Sequence, residues 1–260
     1  MWTDQQLQRY QEQGFLFCPG LMNPEEIQRL NEAVPDLLAG RDQDDGMHRE
    51  YERSGAVRQV YLAHRHSEPF RKLSCDPRIS GSVQQVVNSD VYIWHSKLNV
   101  KDAFEGTVWL WHQDYGYWKW DGVDPKLISV MVFLDRATLS NGCLMVVAGS
   151  HHWGRQEHYP DEVTTSYKQW CIDTETLKQR LTEEMIHQIV GQPGDVLFFD
   201  CNLVHGSGHN MSPLPRRTWI VVYNDVNNQP RPVDSPRPDW VVSRSCEIVR
   251  PTTGTFAYRP

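Results

Sequence analysis

Two periodicities divide the chain. Before about residue 90 the apolar positions recur at helical spacing. In the stretch after Asn23, Ile27, Leu30, Val34, Leu37 and Leu38 share one helical face. Beyond that region the apolar positions alternate. From Val91 to Val100, Tyr92, Trp94, Ser96, Leu98 and Val100 fall on one side, and His95, Lys97, Asn99 and Lys101 on the other. That spacing predicts a strand with one mostly apolar and one polar face.

Local signals bound the elements. Thr3 followed by Gln6 reads as a capping box, opening a helix that ends at Gly14. Asn23-Pro24-Glu25-Glu26 supplies a cap, a proline in the first turn and acids at the positive dipole end of a second helix. Asp76-Pro77 opens a third, running to about Val87. The charged stretch from Gly40 to Gly55 reads as a mobile loop and candidate lid (41–55), with a plain solvated connection as the alternative.

Further strands are expected at 127–134, 144–147, 195–199 and 218–223, with a short helix at 173–181. Helices followed by a run of strands predict a mainly β fold with flanking helices, a jelly-roll barrel braced by its N-terminal part. We expect a single domain of three parts: residues 1–90 as helical support, 91–225 as the jelly-roll core, and 226–260 as a C-terminal wrap.

The chemistry concentrates in Trp111-His112-Gln113-Asp114-Tyr115-Gly116-Tyr117-Trp118. Residues i and i+2 of an extended strand point to one face, so His112 and Asp114 would project side by side. An imidazole and a carboxylate so placed are two thirds of a 2-His-1-carboxylate site for non-haem Fe(II). His205, in Leu203-Val204-His205-Gly206-Ser207, is the candidate third ligand, brought by an antiparallel strand. Arg216 follows, and a guanidinium fork suits the distal carboxylate of a dicarboxylate co-substrate. Rival histidines fit less well. His64 and His66 have strand spacing but no nearby carboxylate. His205 and His209 have the spacing of a helical zinc pair, but Gly206 and Gly208 interrupt it.

At this point the chain resembles the phytanoyl-CoA dioxygenase (PhyH) family of Fe(II)/2-oxoglutarate oxygenases, especially its ectoine hydroxylase branch. The similar stretches span most of the chain. They are Gln11-Glu12-Gln13-Gly14-Phe15-Leu16, the W-H-Q-D motif, Asn141-Gly142-Cys143-Leu144 with Ala148-Gly149-Ser150-His151, Pro193-Gly194-Asp195-Val196, His205-Gly206-Ser207 and Arg216. The resemblance implies a cupin-like double-stranded β-helix. It implies Fe(II), 2-oxoglutarate and O2 as cofactor and co-substrates, with succinate and CO2 released as a C–H bond is hydroxylated. It implies His112, Asp114 and His205 as the catalytic metal ligands, and Arg216, Ser207 and Asn99 as contacts of 2-oxoglutarate. Halogenating relatives lack the carboxylate ligand; this chain keeps Asp114, which favours hydroxylation or a desaturating or ring-forming variant. The segment Trp118-Lys119-Trp120-Asp121-Gly122 resembles one that lines the substrate pocket of ectoine hydroxylases, so Trp118 is a candidate wall. His95 stands where those enzymes carry a glutamine, which points to a retuned specificity and, for a titrating imidazole, to pH dependence near neutrality.

Composition narrows the partners. A net charge of −7 offers no basic stripe for nucleic acid or for the phosphates of a CoA handle. No apolar run is long enough to cross a membrane, and the first residues lack the basic start and apolar core of a signal peptide. Six scattered cysteines without a C-x-x-C pair read as reduced thiols, and a cytoplasmic location is expected. The expected partner is therefore a small, polar molecule such as an amino-acid derivative or an intermediate of a specialised biosynthesis. The rival reading is a non-catalytic jelly-roll module that binds a metal or ligand; such a module has no need of His112, Asp114, His205 and Arg216 together.

Overall fold

The computed structural model describes residues 1–39, 46–165 and 167–252. The N-terminal part opens with α1 (Asp4–Gln13), capped by the Thr3–Gln6 box and closed by Gly14 at φ 81°. Strand β1 (Phe15–Cys18) and helix α2 (Pro24–Leu38) follow, the helix capped reciprocally by Asn23 and Glu26. Next come β2 (Arg49–Tyr51), β3 (Val57–Tyr61), α3 (Ala63–His66), α4 (Glu68–Ser74) and α5 (Ser82–Val87). The Asp76-Pro77 signal opens a single π turn, Pro77–Gly81, before α5 begins.

Part of the expected loop is thus a strand. Residues 49–51 pair with β3, while 41–45, the head of the candidate lid, lie outside the described residues. His64 and His66 lie on a helical turn, so the strand spacing that made them a rival ligand pair does not exist.

The β-rich part contains β4 (Val91–Lys101), β5 (Trp109–His112), α6 (Asp114–Trp118), β6 (Leu127–Phe133), β7 (Leu144–Val147), β8 (His158–Asp161) and β9 (Gln169–Ile172). It continues through α7 (Thr174–Arg180), β10 (Ile186–Ile189), β11 (Val196–Asp200), β12 (His205–Ser207) and β13 (Arg216–Asp225). A seven-stranded antiparallel sheet, ordered β1-β11-β6-β13-β4-β3-β2, faces a four-stranded sheet ordered β10-β7-β12-β5. This is the jelly roll. The hairpin β8–β9 forms a separate two-stranded ribbon.

The large sheet is buried on both faces, which explains why β6 is buried along its whole length and apolar at every position but Ser129. Its outer face, with Val130, Val132, Trp219 and Val221, packs on Leu30, Val34, Phe70 and Leu73 of the helices. Its inner face, with Met131, Phe133, Ile220 and Val222, meets Leu144 and Val146 of the small sheet. One expectation about faces fails. The β13–β4 register passes from Val222↔His95 to Tyr223↔Ile93, so Trp94 is the extra residue of a bulge. A bulge resets the alternation. Tyr92 and Trp94 therefore turn inward, onto the same side as His95, Lys97, Asn99 and Lys101, while Leu98 and Val100 face the helices. The polar face of β4 points into the barrel, where a polar site needs it.

Candidate active site

β5 ends at His112, Gln113 is extended (φ −113°, ψ 137°), and α6 starts at Asp114. The sequence placed the two candidate ligands on one strand; instead the strand ends at the first and a helix begins on the second. The extended residue between them still sends both side chains to one side. β12 brings the third. His205 pairs in register with His112, and their ring centroids are 4.2 Å apart. One ligand atom from each of His112, Asp114 and His205 lies within 4.8 Å of the others, and all three residues are buried.

Each imidazole is aimed by the carbonyl of the residue two positions before it. His112 Nδ1–H donates to the Leu110 carbonyl at 2.6 Å, and His205 Nδ1–H to the Leu203 carbonyl at 2.9 Å. A carbonyl only accepts, so Nδ1 carries the proton and the Nε2 lone pair is left for a metal. Burial lowers both imidazole pKa values, and His205 beside His112 lowers that one further, so both stay in the neutral, ligating form. Burial alone would raise Asp114. Lys97 above all, and the Ser129 hydroxyl, which donates at 2.8 Å, outweigh it and hold the carboxyl at about 2. Two neutral nitrogens and one fixed carboxylate are a donor set that fits Fe(II) and leaves positions open.

Deeper in the barrel, Arg216 stands opposite Lys101, and Thr218 opposite Asn99, which Gln59 flanks from β3. Ser207 comes from the facing sheet. Arg216 Nε, Ser207 Oγ, Asn99 Oδ1, Thr218 Oγ1 and Gln59 Oε1 are all buried without a hydrogen-bond partner among the described residues. Buried polar groups are normally paired, so this set suits a polar ligand with a carboxylate for Arg216. Burial lowers the Arg216 guanidinium to about 10, and it remains a cation. Its neighbour Arg217 points the other way and grips Asp135 through two bonds of 2.7 Å. Lys101 donates to the carbonyls of Thr107 and Gly208 and is thus committed to backbone.

Above the triad opens a cavity of about 270 Å³. Trp118 and His95, the two candidate substrate residues, both line it. His95 Nδ1–H donates to the Val241 carbonyl at 2.9 Å, its ring stands edge-on to Trp118 at 5.4 Å, and Nε2 is buried and unpartnered. The expected titration near neutrality does not survive: burial, then Lys97, push His95 down to about 3. Lys97 lines the same cavity, its Nζ 3.9 Å from Asp114 Oδ1.

Residues 10–218 match the family model described as Phytanoyl-CoA dioxygenase (PhyH). The ectoine dioxygenase of Bordetella bronchiseptica is 31% identical over 265 residues, covering 95% of this chain and 84% of that protein. The crystal structure of EctD from S. alaskensis with bound Fe aligns with a TM-score of 0.85 at 29% identity, over 99% of this chain and 92% of that one. EctD from S. alaskensis with 2-oxoglutarate and 5-hydroxyectoine gives 0.81 at 30% identity, over 94% and 86%. The chain belongs to the phytanoyl-CoA dioxygenase family. It is a 2-oxoglutarate-dependent non-haem iron dioxygenase.

For a member of this family, much of the cavity wall was invisible in the sequence. Gln59 and Tyr61 arrive on β3, Tyr167 and Trp170 on or beside β9, and Arg237 and Trp240 on the C-terminal wrap. Trp240 stacks flat on His48, with centroids 3.6 Å apart, and Arg237 binds both carboxylate oxygens of Asp121. The one available signal was aromatic residues in otherwise polar loops.

Proposed function

We propose that this dioxygenase hydroxylates a small, polar, carboxylate-bearing metabolite, such as an amino acid or a cyclic derivative of one, with His112, Asp114 and His205 as its iron ligands. The cavity beside the triad carries this reading. At about 270 Å³ it suits a compact molecule. It falls below the usual range of drug-sized pockets, roughly 300–1,000 Å³, and is far too small for a long acyl-CoA. Bound iron with 2-oxoglutarate supplies the oxidising chemistry, releasing succinate and CO2.

The residues of this chain do the rest. Arg216, with Ser207 and Asn99, holds the far carboxylate of 2-oxoglutarate, so that its other end reaches the triad. Ser129 and Lys97 keep Asp114 ionised and fixed. Aromatic side chains such as Trp109, Tyr117 and Trp118 exclude water and leave few orientations open to a flat ring. Lys97, whose Nζ lies 3.9 Å from Asp114, meets the substrate carboxylate. Ectoine, the substrate in the names of the relatives, belongs to this chemical class; His95, where the family resemblance implies a glutamine in ectoine hydroxylases, favours a different member of it.

The test is succinate release with Fe(II) and 2-oxoglutarate over a panel of free amino acids, cyclic amino-acid derivatives including ectoine, and acyl-CoAs. Stimulation by one of the small acids is expected. Robust turnover of long-chain acyl-CoAs, with none of the small acids, would overturn the assignment. No stimulation of 2-oxoglutarate turnover by any Fe(II) addition would favour the binding-module reading instead.

A further inference from the structure

His158 is a buried histidine that the iron site does not use. It opens β8, is 3% exposed, and has both ring nitrogens engaged. Nδ1–H donates to the Gln156 carbonyl at 2.9 Å, which leaves Nε2 as an acceptor. That lone pair takes the backbone N–H of Gln113, also at 2.9 Å. Gln113 is the residue between His112 and Asp114. Burial pushes His158 down to about 4, so the ring stays an acceptor at neutral pH.

Two further observations make this contact look built. A Cβ on Gly116 would lie 2.4 Å from His158 Nε2, so only glycine in α6 lets the ring come this close. The Gln113 side chain is also saturated. Its Nε2 donates to the carbonyls of Gly154 at 2.9 Å and Asn202 at 2.7 Å, and its Oε1 accepts from Gln156 N–H at 2.7 Å. One residue thus ties the first two ligands to the segment that leads into the β8–β9 hairpin and to the turn that precedes His205. The hairpin answers from its second strand. Leu110 N–H donates to Gln169 Oε1 at 2.9 Å, and Trp170 N–H to Tyr117 Oη at 2.8 Å. Tyr167 and Trp170 of the same hairpin wall the substrate cavity.

We propose that His158 is a positioning residue that locks the Gln113 peptide, between two iron ligands, onto the β8–β9 hairpin, so that the segment walling the substrate cavity also sets the coordination geometry. The proposal rests on the reading of His112, Asp114 and His205 as the iron site. Without the imidazole a buried peptide N–H loses its partner, and the turn from β5 into α6 is free to rotate Asp114 away from His112. Groups that orient metal ligands typically contribute ten- to hundredfold in metal affinity.

The experiment compares the full chain with His158→Phe, His158→Gln and Gly116→Ala, each titrated without oxygen with Fe(II) and with Co(II). The readouts are the dissociation constant, the visible spectrum of bound Co(II), and the charge-transfer absorption on adding 2-oxoglutarate to the Fe(II) form. His158→Phe is expected to weaken Fe(II) about ten- to hundredfold and to change the Co(II) spectrum. His158→Gln, whose side-chain oxygen reaches the same N–H, should recover most of both. Gly116→Ala pushes the ring off Gln113 and should move both readouts as His158→Phe does. Wild-type affinity and an unchanged spectrum in folded His158→Phe would overturn the proposal; if that variant does not fold, the same result in Gly116→Ala would. The underlying reading fails separately: the unaltered chain would then bind neither metal, or bind it as well after Asp114→Ala.

Discussion

His205 stands directly opposite His112 across the β5–β12 ladder, and the two imidazoles face one another with centroids 4.2 Å apart. The register holds them there, through one extra residue in β5: two steps on β12, from His205 to Ser207, match three on β5, from His112 to Trp109. Two neutral rings contribute no charge, so the anionic share of metal binding falls on Asp114.

Asp114→Ala should therefore abolish iron-dependent turnover while the fold stays intact. Among the described residues the carboxylate accepts one hydrogen bond, from Ser129, and faces Lys97 Nζ at 3.9 Å. Anaerobic Fe(II) titration with circular dichroism checks both halves. A variant that still binds Fe(II) and turns over fully would remove Asp114 from the ligand set.

Arg216→Met should raise the 2-oxoglutarate requirement strongly and leave Fe(II) affinity nearly unchanged. Truncating a buried charge-assisted pair costs about 2–5 kcal/mol, or some thirtyfold and more in affinity. Arg217→Met is the control, because that guanidinium is occupied by Asp135 on the other side of β13. Binding of 2-oxoglutarate to the Fe(II) form, followed by its absorption, separates the two. Loss in Arg217→Met with retention in Arg216→Met would reverse the assignment.

How much of this was legible in the sequence follows from which interactions are local. Caps are local, so both N-terminal helices and their ends at Asn23 and Gly14 could be read directly. The candidate ligands, which the fold brings together, could be named because a metal needs particular side chains, and Arg216 was nominated by its place after His205. The bulge at Trp94 could not be foreseen. It depends on β13 across the ladder, and it moves Tyr92 and Trp94 to the face that simple alternation denied them. The helix beginning at Asp114 was hidden for a similar reason: Gly116 is a poor helix former, tolerated there because His158 packs against it. The cavity wall was the least legible, since β3, the β8–β9 hairpin and the C-terminal wrap meet only in the folded chain.

Stability of the metal-free chain should fall as pH drops below about 6.5. Burial lowers His64 and His95 to about 3 and His158 to about 4. These folded pKa values lie below the unfolded one. The unfolded chain thus takes up protons first, and the stability present above pH 6.5 is lost as pH falls towards the folded values. Each fully buried histidine contributes about 1 kcal/mol of loss per pH unit, and half-buried His64 less. Urea midpoints with chelator at pH 7.5, 6.5 and 5.5 measure the slope, and His64→Gln should make it shallower. A midpoint that stays level down to pH 5.5 would contradict the burial of these rings.

The last prediction concerns selectivity. With Nδ1–H committed to the Val241 carbonyl, His95 presents only an acceptor to the cavity, at Nε2. Its depressed pKa of about 3 keeps that acceptor available across the neutral range. A good substrate must then bring an N–H or O–H donor to this point, beside the Trp118 face, while its carboxylate meets Lys97. Glutamine, which the ectoine hydroxylases are expected to carry here, offers both a donor and an acceptor and can serve a molecule of opposite polarity. His95→Gln should therefore shift preference towards ectoine and away from the native substrate. A mispaired buried polar group costs about 1–3 kcal/mol, so the ratio of the two turnover efficiencies should move by roughly ten- to hundredfold. Competition between ectoine and the best acid of the panel, with both hydroxylated products weighed by mass spectrometry, reads that ratio directly. An unchanged ratio in a folded His95→Gln enzyme, at equal 2-oxoglutarate affinity, would mean that His95 packs against the pocket without reading the substrate.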